Sequence, residues 1–362
     1  MRNIYCIVPS LSSGGAERQL CIIMEQLVKK SYNVTLVTYS NREDMYQINS
    51  KIHRIKIIKT SKLKTFIAIY KFFKRIEKDS VIITFGMINN IITILCNILY
   101  RRRIIAGERN FSIKTTWKER TLFILYIKAF SIVANSHSQE NFIKIHAPWL
   151  TKKTSSIINY TDINKFRPIP EYLNKEEKEI IGIFARFNPQ KNYINFTKAV
   201  KYIVDSGYTN FQIKWYGNMS GANNTKNKYY LDFLNIVNQN NLSQFIELHD
   251  HTKDVTKQIN YCNAICLPSL YEGFSNSISE AIACGKPVIA SNVSDNHIMV
   301  ENNCNGFLFD PNNIKDISNA LIKYLELPLS EKEKMGIKSR EKALQLFNLD
   351  NFTNQYIKII ES

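Results

Sequence analysis

The sequence predicts an α/β protein of two domains, each with a parallel β-sheet covered by helices on both faces. Three observations support this fold class. The chain has 362 residues, which is long for one domain and sufficient for two. Short β-branched apolar runs alternate with longer amphipathic patterns, as they do in βαβ units. The alternation pauses once, near the middle of the chain, and then resumes.

In the first half, the strands are short runs rich in Ile, Val and Thr, and the helices are longer segments with apolar residues every three or four positions. Strands are predicted at 3–9, 33–39, 80–85, 103–107 and 131–135, and helices at 15–30, 65–78, 89–100 and 138–146. Residues 166–179 contain proline and charged residues without apolar periodicity, and they mark the pause.

The same pattern returns in the second half. Strands are predicted at 180–186, 211–217, 245–250, 264–269, 287–291 and 306–310, and helices at 193–207, 228–241, 255–260 and 277–285, before a helix-rich end. We therefore expect an N-terminal domain (1–167), a linker (168–179), a second domain (180–345) and a C-terminal helix (346–362) that packs back toward the first domain. Because open parallel sheets bind ligands beyond the carboxyl ends of their strands, two such Rossmann-like domains would face each other across a cleft.

The composition is globular, but its charge is uneven. Residues 1–167 carry 28 Lys and Arg against 10 Asp and Glu, a net of +18, whereas residues 168–362 carry 20 against 21, a net of −1. The basic half predicts an anionic partner, either a membrane surface or nucleic acid. Segments 62–78, 100–105 and 114–130 mix basic with aromatic and apolar residues, which suits an anionic membrane. No nucleic-acid motif is present, so we expect a membrane and no nucleic acid.

Other features limit the location and chemistry of the protein. The seven cysteines are scattered and lack metal-ligand spacing, so we interpret them as reduced, mostly buried thiols. The N-terminal apolar run of about five residues is too short for a signal peptide. No stretch reaches the roughly 18 clean apolar residues of a spanning helix. We therefore expect a cytoplasmic protein that is peripheral on the inner face of the cell membrane.

The most informative stretch is YEGFSNSISEAIACGKPV, at 271–288. Glu272 lies in the loop between a buried strand and a helix, Glu280 lies near the start of that helix, and Gly285 ends it. Ser277 and Glu280 have the S-x-x-E spacing of a capping box, which would account for Glu280 structurally. Capping does not account for Glu272. Two carboxylates beside a helix N-terminus, which attracts phosphate, fit a sugar nucleotide.

This stretch resembles the E-x7-E signature of the retaining glycosyltransferases of family 4 (glycosyl transferases group 1), which have the two-domain GT-B fold. The matching residues are Glu272, Gly273, Phe274, Asn276, Glu280, Ala281, Ala283, Gly285, Pro287 and Val288, and the match continues in NGFLFDP at 305–311. The resemblance implies that Glu272 contacts the donor sugar and Glu280 the ribose. It also implies a donor site that includes Gly273, Phe274, Ser275, Asn276 and Ser277.

A second stretch, IFARFNPQKN at 183–192, is similar to the GRxxxxK loop of the same family, with Ala185 in place of the usual glycine. The resemblance implies that Arg186 and Lys191 hold the leaving diphosphate. A guanidinium and an ammonium can neutralise it without a metal ion. The alternative is a solvated basic loop. Neither a D-x-D pair nor G-x-G-x-x-G is present, so we expect no metal and no dinucleotide cofactor.

Two first-domain stretches also carry the resemblance. Gly14 and Gly15 in PSLSSGGAERQ match the Gly-Gly loop of the family, although an ordinary turn is the alternative. Glu108 and Arg109 in AGERNFS resemble the ERN stretch of bacterial members that assemble O-antigen, capsule and other polysaccharides. For this pair the alternative is a surface salt bridge.

The resemblance implies a retaining, metal-independent glycosyltransferase. It would move a hexosyl or N-acetylhexosaminyl group from a nucleotide-sugar donor, expected to be UDP-linked, to a lipid-linked glycan in the synthesis of a cell-surface polysaccharide such as capsule or lipopolysaccharide. Two other functions stay open. A sugar-nucleotide epimerase can have a similar fold, and release of free UDP would argue against it. A non-catalytic subunit of a glycan-assembly complex would bind the donor without turnover.

Overall fold

The computed structural model describes residues 2–12, 14–58, 61–109, 114–174, 177–221 and 225–362. Residues 110–112 of the AGERNFS stretch, residue 13 of the glycine loop and residues 175–176 of the expected linker lie outside this set. The chain divides into two compact units. Unit 1 comprises Met1–Tyr160 and Leu349–Ser362, and unit 2 comprises Thr161–Asn348.

Unit 1 contains a seven-stranded parallel sheet. Its strands are β1 (Asn3–Val8), β2 (Asn33–Thr38), β3 (His53–Lys56), β4 (Val81–Phe85), β5 (Arg103–Glu108), β6 (Ser131–Ala134) and β7 (Thr154–Ser156). Its helices are α1 (Gly15–Lys29), α2 (Lys62–Arg75), α3 (Met87–Asn97), α4 (Trp117–Leu125), α5 (His137–His146) and α13 (Leu349–Glu361), with short 3₁₀ turns at Tyr126–Lys128 and Pro148–Lys153. The strand order is β3-β2-β1-β4-β5-β6-β7. α13 packs against α1.

Unit 2 contains a six-stranded parallel sheet. Its strands are β8 (Glu179–Phe184), β9 (Phe211–Tyr216), β10 (Ile246–His249), β11 (Ala264–Leu267), β12 (Val288–Ser291) and β13 (Gly306–Phe309). Its helices are α6 (Tyr193–Asp205), α7 (Lys228–Gln239), α8 (Val255–Tyr261), α9 (Asn276–Ala283), α10 (Asn296–Met299), α11 (Ile314–Leu325) and α12 (Leu329–Leu346), with 3₁₀ turns at Pro170–Tyr172 and Pro189–Lys191. The strand order is β10-β9-β8-β11-β12-β13.

Counted within each unit, both sheets have the strand order 3-2-1-4-5-6, with β7 added at one edge of the first. The predicted class of two Rossmann-like parallel sheets is confirmed. In this topology the chain reverses its direction of winding between the first and fourth strands of a unit, and ligands bind at the carboxyl ends of the strands flanking that switch point. The switch points lie between β1 and β4 in unit 1, and between β8 and β11 in unit 2.

Burial explains which elements the sequence revealed. All five residues of β4 and all four of β11 are buried, as expected for strands covered on both faces. β3 was not predicted because its four residues are all exposed and show no apolar alternation. The predicted end of α9 is confirmed. Gly285 adopts φ +70°, the Lys286 N–H donates to the Ala281 carbonyl at 3.0 Å, and the Gly285 N–H donates to the Ile282 carbonyl at 3.1 Å, which together form a Schellman motif.

Two further findings concern the whole described chain. Six cysteines are buried, Cys304 is half-buried and all seven are free thiols, so their interpretation as unpaired thiols is confirmed. Over the residues with described positions, no helix combines the length and the apolar character needed to cross a bilayer.

Candidate functional site

The switch point of unit 2 brings together the predicted residues of two loops. Arg186 and Lys191 follow β8, and Glu272 follows β11. β8 and β11 are neighbours in the sheet although about eighty residues separate the two loops in sequence, because the chain winds outward on one side of β8 before it returns on the other. The topology therefore places both loops at the position where open α/β sheets bind ligands.

Lys191 and Glu272 form a direct ion pair. The Lys191 Nζ donates to the Glu272 Oε1, and the two side chains are only 12% and 10% exposed. Because water reaches this pair only in part, salt screens it less than it screens a surface pair. The residues expected to hold the diphosphate and the sugar are thus in contact with each other.

Backbone and side-chain hydrogen bonds fix the relative position of the two loops. The Gln190 side-chain amide donates to the Tyr271 carbonyl at 2.8 Å, and the Leu270 N–H donates to the Gln190 carbonyl, also at 2.8 Å. The Asn188 side chain accepts from the Lys191 N–H at 3.2 Å and so caps the 3₁₀ turn that carries the lysine. Sequence analysis did not single out Gln190, and its position beside Lys191 was the one signal available.

Arg186 differs from Lys191 in its surroundings. Its side chain is exposed, and within the described ranges of the chain it forms no ion pair. Its position after β8 leaves the guanidinium accessible to a soluble anion. The same loop therefore carries one cation in an ion pair, Lys191, and one exposed cation, Arg186.

The predicted capping box at the start of α9 is wrong. The helix begins at Asn276 and its N-cap is Ser275, without a side-chain cap. Ser277 lies inside the first turn, where its hydroxyl donates to the Phe184 carbonyl at the end of β8 at 2.6 Å. Glu280 is the fifth residue of the helix and is buried. Ser277 therefore attaches the helix N-terminus to the sheet and does not pair with Glu280.

The segment before α9 is held from one side. The Gly273 carbonyl accepts from the Ser294 hydroxyl at 2.7 Å, and the Ser275 hydroxyl donates to the Asn296 Oδ1 at 2.7 Å. Phe274, between them, is buried. The N-terminal N–H groups of an eight-residue helix, which attract anions, are thus presented by an anchored loop.

An aromatic column lies across the carboxyl ends of three strands. Phe184 stacks on Tyr216 with centroids 4.9 Å apart, and Tyr216 stacks on His249 at the same distance. His249 is half-buried, and its Nε2 lies 3.0 Å from the Glu247 carboxylate.

Among the residues whose positions are described, no group of three His, Cys, Asp or Glu side chains could hold a metal ion.

In unit 1, Glu108 is a buried carboxyl and not a surface group. The Tyr126 hydroxyl donates to its Oε1, and the Asn90 amide donates to the Tyr126 oxygen at 2.8 Å and to the same Glu108 Oε1 at 3.4 Å. Burial raises the pKa of Glu108 to about 7, and burial also raises the pKa of Tyr126. The carboxyl is therefore partly protonated near neutral pH.

The contacts of Arg109 also contradict the surface salt bridge that was considered as the alternative for Glu108 and Arg109. Its guanidinium donates to the Asn159 Oδ1 at 2.8 Å and to the Tyr356 hydroxyl at 2.7 Å, and lies 3.9 Å from the centre of the Phe85 ring. These partners are neutral, and they join the end of β5 to α13. Asn90 and Tyr126 were not predicted as partners of Glu108. Asparagines inside the otherwise apolar α3 were the available signal.

The glycine pair lies at the switch point of unit 1. Gly14 precedes α1 with an extended φ of 165°, and Gly15 is the first residue of the helix. A side chain at Gly14 would overlap the Glu17 carboxylate, which lies beside the helix N-terminus, and burial raises the pKa of Glu17. The Gly14 carbonyl accepts from the Tyr46 hydroxyl at 3.1 Å. Gly14 therefore makes room for an acidic side chain that belongs to the protein itself.

Comparison with known proteins identifies relatives of both the sequence and the fold. A sequence model of the glycosyl transferases group 1 family matches residues 165–342. The chain is 27% identical over 327 residues to the UDP-Gal:α-D-GlcNAc-diphosphoundecaprenol α-1,3-galactosyltransferase of Escherichia coli, covering 82% of this chain and 80% of the relative.

A second relative, from Campylobacter jejuni, is a GalNAc-α-(1→4)-GalNAc-α-(1→3)-diNAcBac-PP-undecaprenol α-1,4-N-acetyl-D-galactosaminyltransferase. It is 22% identical over 382 residues, covering 99% of this chain and 98% of the relative. Among solved structures, HepE of Anabaena, in complex with UDP and glucose, has a TM-score of 0.82 at 17% identity, with full coverage of both chains. This structural likeness shows the fold.

Proposed function

We propose that this glycosyltransferase, whose residues 165–342 match the glycosyl transferases group 1 family, moves a sugar from a nucleotide donor to a polyprenyl-diphosphate-linked glycan with retention of the anomeric configuration. The observation that carries this proposal is the Lys191–Glu272 pair at the switch point of unit 2. One member can bind a diphosphate and the other can accept hydrogen bonds from sugar hydroxyls. The pair therefore offers a separate group to each half of a sugar nucleotide.

The charge that develops on the leaving group is met by fixed positive groups. Lys191, the accessible Arg186 and the N-terminal N–H groups of α9 converge on the carboxyl edge of the sheet. Such preorganised groups stabilise a departing diphosphate most where water is partly excluded. We propose that they do so without a metal ion, because a forked guanidinium and an ammonium can neutralise the diphosphate directly.

The proposed reaction is a single displacement on one face of the sugar. The acceptor hydroxyl oxygen forms a bond to the anomeric carbon while the bond from that carbon to the phosphate oxygen breaks. The electron pair of the broken bond leaves with the diphosphate, and the hydroxyl proton passes to the departing phosphate oxygen. Glu272 positions the sugar, and Glu280, one turn inside α9, accepts from the ribose hydroxyls.

UDP is the proposed nucleotide. The Escherichia coli relative uses a UDP-sugar by its name, and HepE was solved with UDP. A planar base could extend the aromatic column at His249, whose ring stacks on Tyr216 on one side. The proposed acceptor follows from the two relatives, whose names describe glycans on diphosphoundecaprenol.

A lipid-linked acceptor requires contact with a membrane, and unit 1 has a surface suited to it. α2, α3 and α4 pack side by side. The exposed apolar side chains of this layer are Leu63, Ile67, Ile88, Leu95, Trp117 and Ile124. Lys71, Lys74 and Arg75 are exposed on α2. Apolar side chains among cations suit an anionic leaflet, so we propose that unit 1 docks on the cytoplasmic face of the cell membrane.

A product assay tests the proposed function. The protein, a series of UDP-sugars and polyprenyl-diphosphate glycans should yield free UDP and an elongated glycan with the anomeric configuration of the donor. Turnover should persist in excess EDTA. Arg186→Gln should lower it by tenfold or more, because a charge-assisted contact contributes about 1.5–3 kcal/mol, whereas Lys198→Gln, an exposed cation on α6, should not.

Three results would contradict parts of this proposal. An inverted product would exclude the retaining mechanism. Loss of turnover in EDTA with recovery on added Mn²⁺ or Mg²⁺ would exclude metal independence. An epimerised UDP-sugar without free UDP would show that the sugar is modified and not transferred.

A further inference from the structure

Unit 1 contains a cavity of about 360 Å³ at the amino edge of its sheet. The end of α3 and the start of β5 form one side of the cavity. The 3₁₀ turn after α4 and the residues leading into β6 form the other side. Its lining residues are Ile94, Asn97, Ile98, Arg101, Arg102, Arg103, Ile127, Lys128, Ala129 and Phe130. All of them are described, and none is acidic.

Unpaired cations line this cavity. Arg101 and Lys128 are exposed, and neither forms an ion pair within the part of unit 1 that the structure describes. Arg103 is half-buried, with its guanidinium 4.0 Å from the centre of the Phe130 ring and a donated bond to the Ile360 carbonyl at 3.3 Å. The fourth basic lining residue, Arg102, is buried, and its guanidinium donates to the Tyr100 and Ile76 carbonyls. Four positive side chains without a carboxylate in the lining repel one another, and an anion between them would relieve that repulsion.

Arg101 is held in an unusual backbone conformation. Its φ is +54°, in the left-handed region that favours glycine and asparagine. Asn97 fixes the turn on both sides, because its amide donates to the Arg102 carbonyl at 2.8 Å and its Oδ1 accepts from the Arg102 N–H at 2.9 Å. An arginine at such a position costs stability that a glycine would not. The backbone conformation alone does not call for a cation there.

The same cavity has an apolar wall that continues onto the surface. Ile94 lies in the last turn of α3 and Ile98 directly follows that helix, and Ile127 lines the cavity from the 3₁₀ turn after α4. Ile98 is 43% exposed and Ile127 is 50% exposed, and the neighbouring Leu99 is exposed as well. A small soluble anion would gain no binding energy from these apolar side chains. A phosphate that carries an alkyl chain would contact both the cations and the isoleucines.

We propose that this cavity binds the phosphate of an anionic membrane lipid, with Arg101 and Lys128 on the phosphate and Ile98 and Ile127 against the adjoining chain. The inference rests on the membrane contact proposed above for α2, α3 and α4, and it assigns one defined lipid contact at the end of that layer. Arg102 and Arg103 also line the cavity and add positive charge to it.

This site is separate from the residues discussed for transfer. Arg103 begins β5 and Glu108 ends it, so the cavity and the Glu108–Arg109 pair lie at opposite edges of the sheet, roughly 17 Å apart at about 3.3 Å per residue. Substitutions in the cavity should therefore leave the chemistry of transfer unchanged when the acceptor is presented in detergent.

Vesicle binding tests the inference with two double variants. Arg101→Asn/Lys128→Gln removes both cations while asparagine still tolerates the left-handed backbone. Lys51→Gln/Lys56→Gln removes two exposed charges at β3, the edge strand of the same sheet that lies away from β5 and β6. On phosphatidylglycerol vesicles, the first variant should partition roughly tenfold to thirtyfold more weakly than the wild type, because each cation near an anionic surface contributes about a factor of five. The second should change by less than threefold.

A third variant and a soluble probe identify the ligand. Ile98→Ser should weaken vesicle binding while all charges are kept. Glycerol phosphate at millimolar concentration should compete poorly. Equal weakening in both charge variants would show diffuse attraction and overturn the site. Strong competition by glycerol phosphate, or wild-type vesicle binding by Ile98→Ser, would overturn the lipid assignment. No wild-type binding to any vesicle would overturn it too, whereas turnover in detergent tests the proposed transfer independently.

Discussion

Replacing Lys191 by methionine is expected to weaken UDP binding by about tenfold to a hundredfold and to remove nearly all turnover. The methionine keeps the length and apolar stem of the lysine but removes the ammonium. A charge-assisted hydrogen bond contributes about 1.5–3 kcal/mol, and a factor of ten corresponds to about 1.4 kcal/mol. The range follows from the loss of one such contact to the diphosphate.

Glu272→Gln should have the opposite effect on UDP. The Glu272 carboxylate forms an ion pair with the Lys191 ammonium, so a diphosphate must compete with it for the lysine. Glutamine keeps the shape of the side chain but removes the competing charge. UDP affinity should therefore be unchanged or higher. Turnover should fall by orders of magnitude, because the amide oxygen accepts from the sugar more weakly than a carboxylate and the amide nitrogen cannot accept at all.

The stability of the two variants follows from the burial of the pair. The side chains are 12% and 10% exposed, so each single substitution leaves a poorly hydrated charge without its partner. Fully buried pairs lose about 3–5 kcal/mol in this way, and partial hydration reduces the expected cost to about 1–3 kcal/mol. Lys191→Met/Glu272→Gln should lose less than the sum of the single variants, because it leaves no unpaired charge.

Calorimetric titration with UDP and urea denaturation measure both effects. Lys198→Met, an exposed lysine on α6, is the matched control and should resemble the wild type. Wild-type UDP affinity in Lys191→Met would remove this lysine from the diphosphate site. Strictly additive losses of stability would show that the two charges do not depend on each other in solution.

Two further predictions concern unit 1. Burial raises the pKa of Glu108 from 4.5 to about 7, so the folded protein holds that proton more tightly than the unfolded chain. Relative to Glu108→Gln, the wild-type unfolding free energy should fall by about 3 kcal/mol as pH rises from 4.5 through 7, and parallel pH curves in urea denaturation would contradict this. Changing Lys71, Lys74 and Arg75 to Glu should lower sedimentation with anionic vesicles more than tenfold, at about 1 kcal/mol per cation. Equal loss after the same reversal at exposed lysines of unit 2 would refute a docking face on α2. That control comprises Lys198, Lys253 and Lys315.

The fold could be predicted wherever burial leaves a pattern in the sequence. β4 and β11 read as short β-branched runs because both faces of each strand are covered. β3 could not be predicted, because at a sheet edge its exposed side chains carry no alternation and only pairing with β2 defines it as a strand. The positive-φ Gly285 was predictable because the end of α9 is a local feature.

The candidate site was predictable in its residues but not in its contacts. Lys191 and Glu272 each stood in a recognisable motif, yet their pairing depends on the sheet order that makes β8 and β11 neighbours. Ser277 and Glu280 have the spacing of a capping box, but the helix starts before Ser277. The Ser277 hydroxyl instead donates a hydrogen bond to the Phe184 carbonyl at the end of β8. The sequence left open the surface salt bridge considered as the alternative for Glu108 and Arg109, because sequence spacing does not show that Tyr126 and Asn90 contact the carboxyl.

The net charges of the two halves of the chain differ, and so do the two kinds of anion binding proposed for them. Residues 168–362 have a net charge of −1, yet they contain the proposed diphosphate site, because Glu272 neutralises Lys191 until a ligand replaces it. Residues 1–167 have a net charge of +18, and among the residues of this half that the structure describes, Arg101 and Lys128 form no ion pair. A small anion is selected by a few charges with fixed geometry, whereas a membrane attracts the summed field of many. Net charge therefore indicates the proposed membrane contact and gives no sign of the donor site, whose cation is balanced within the protein itself.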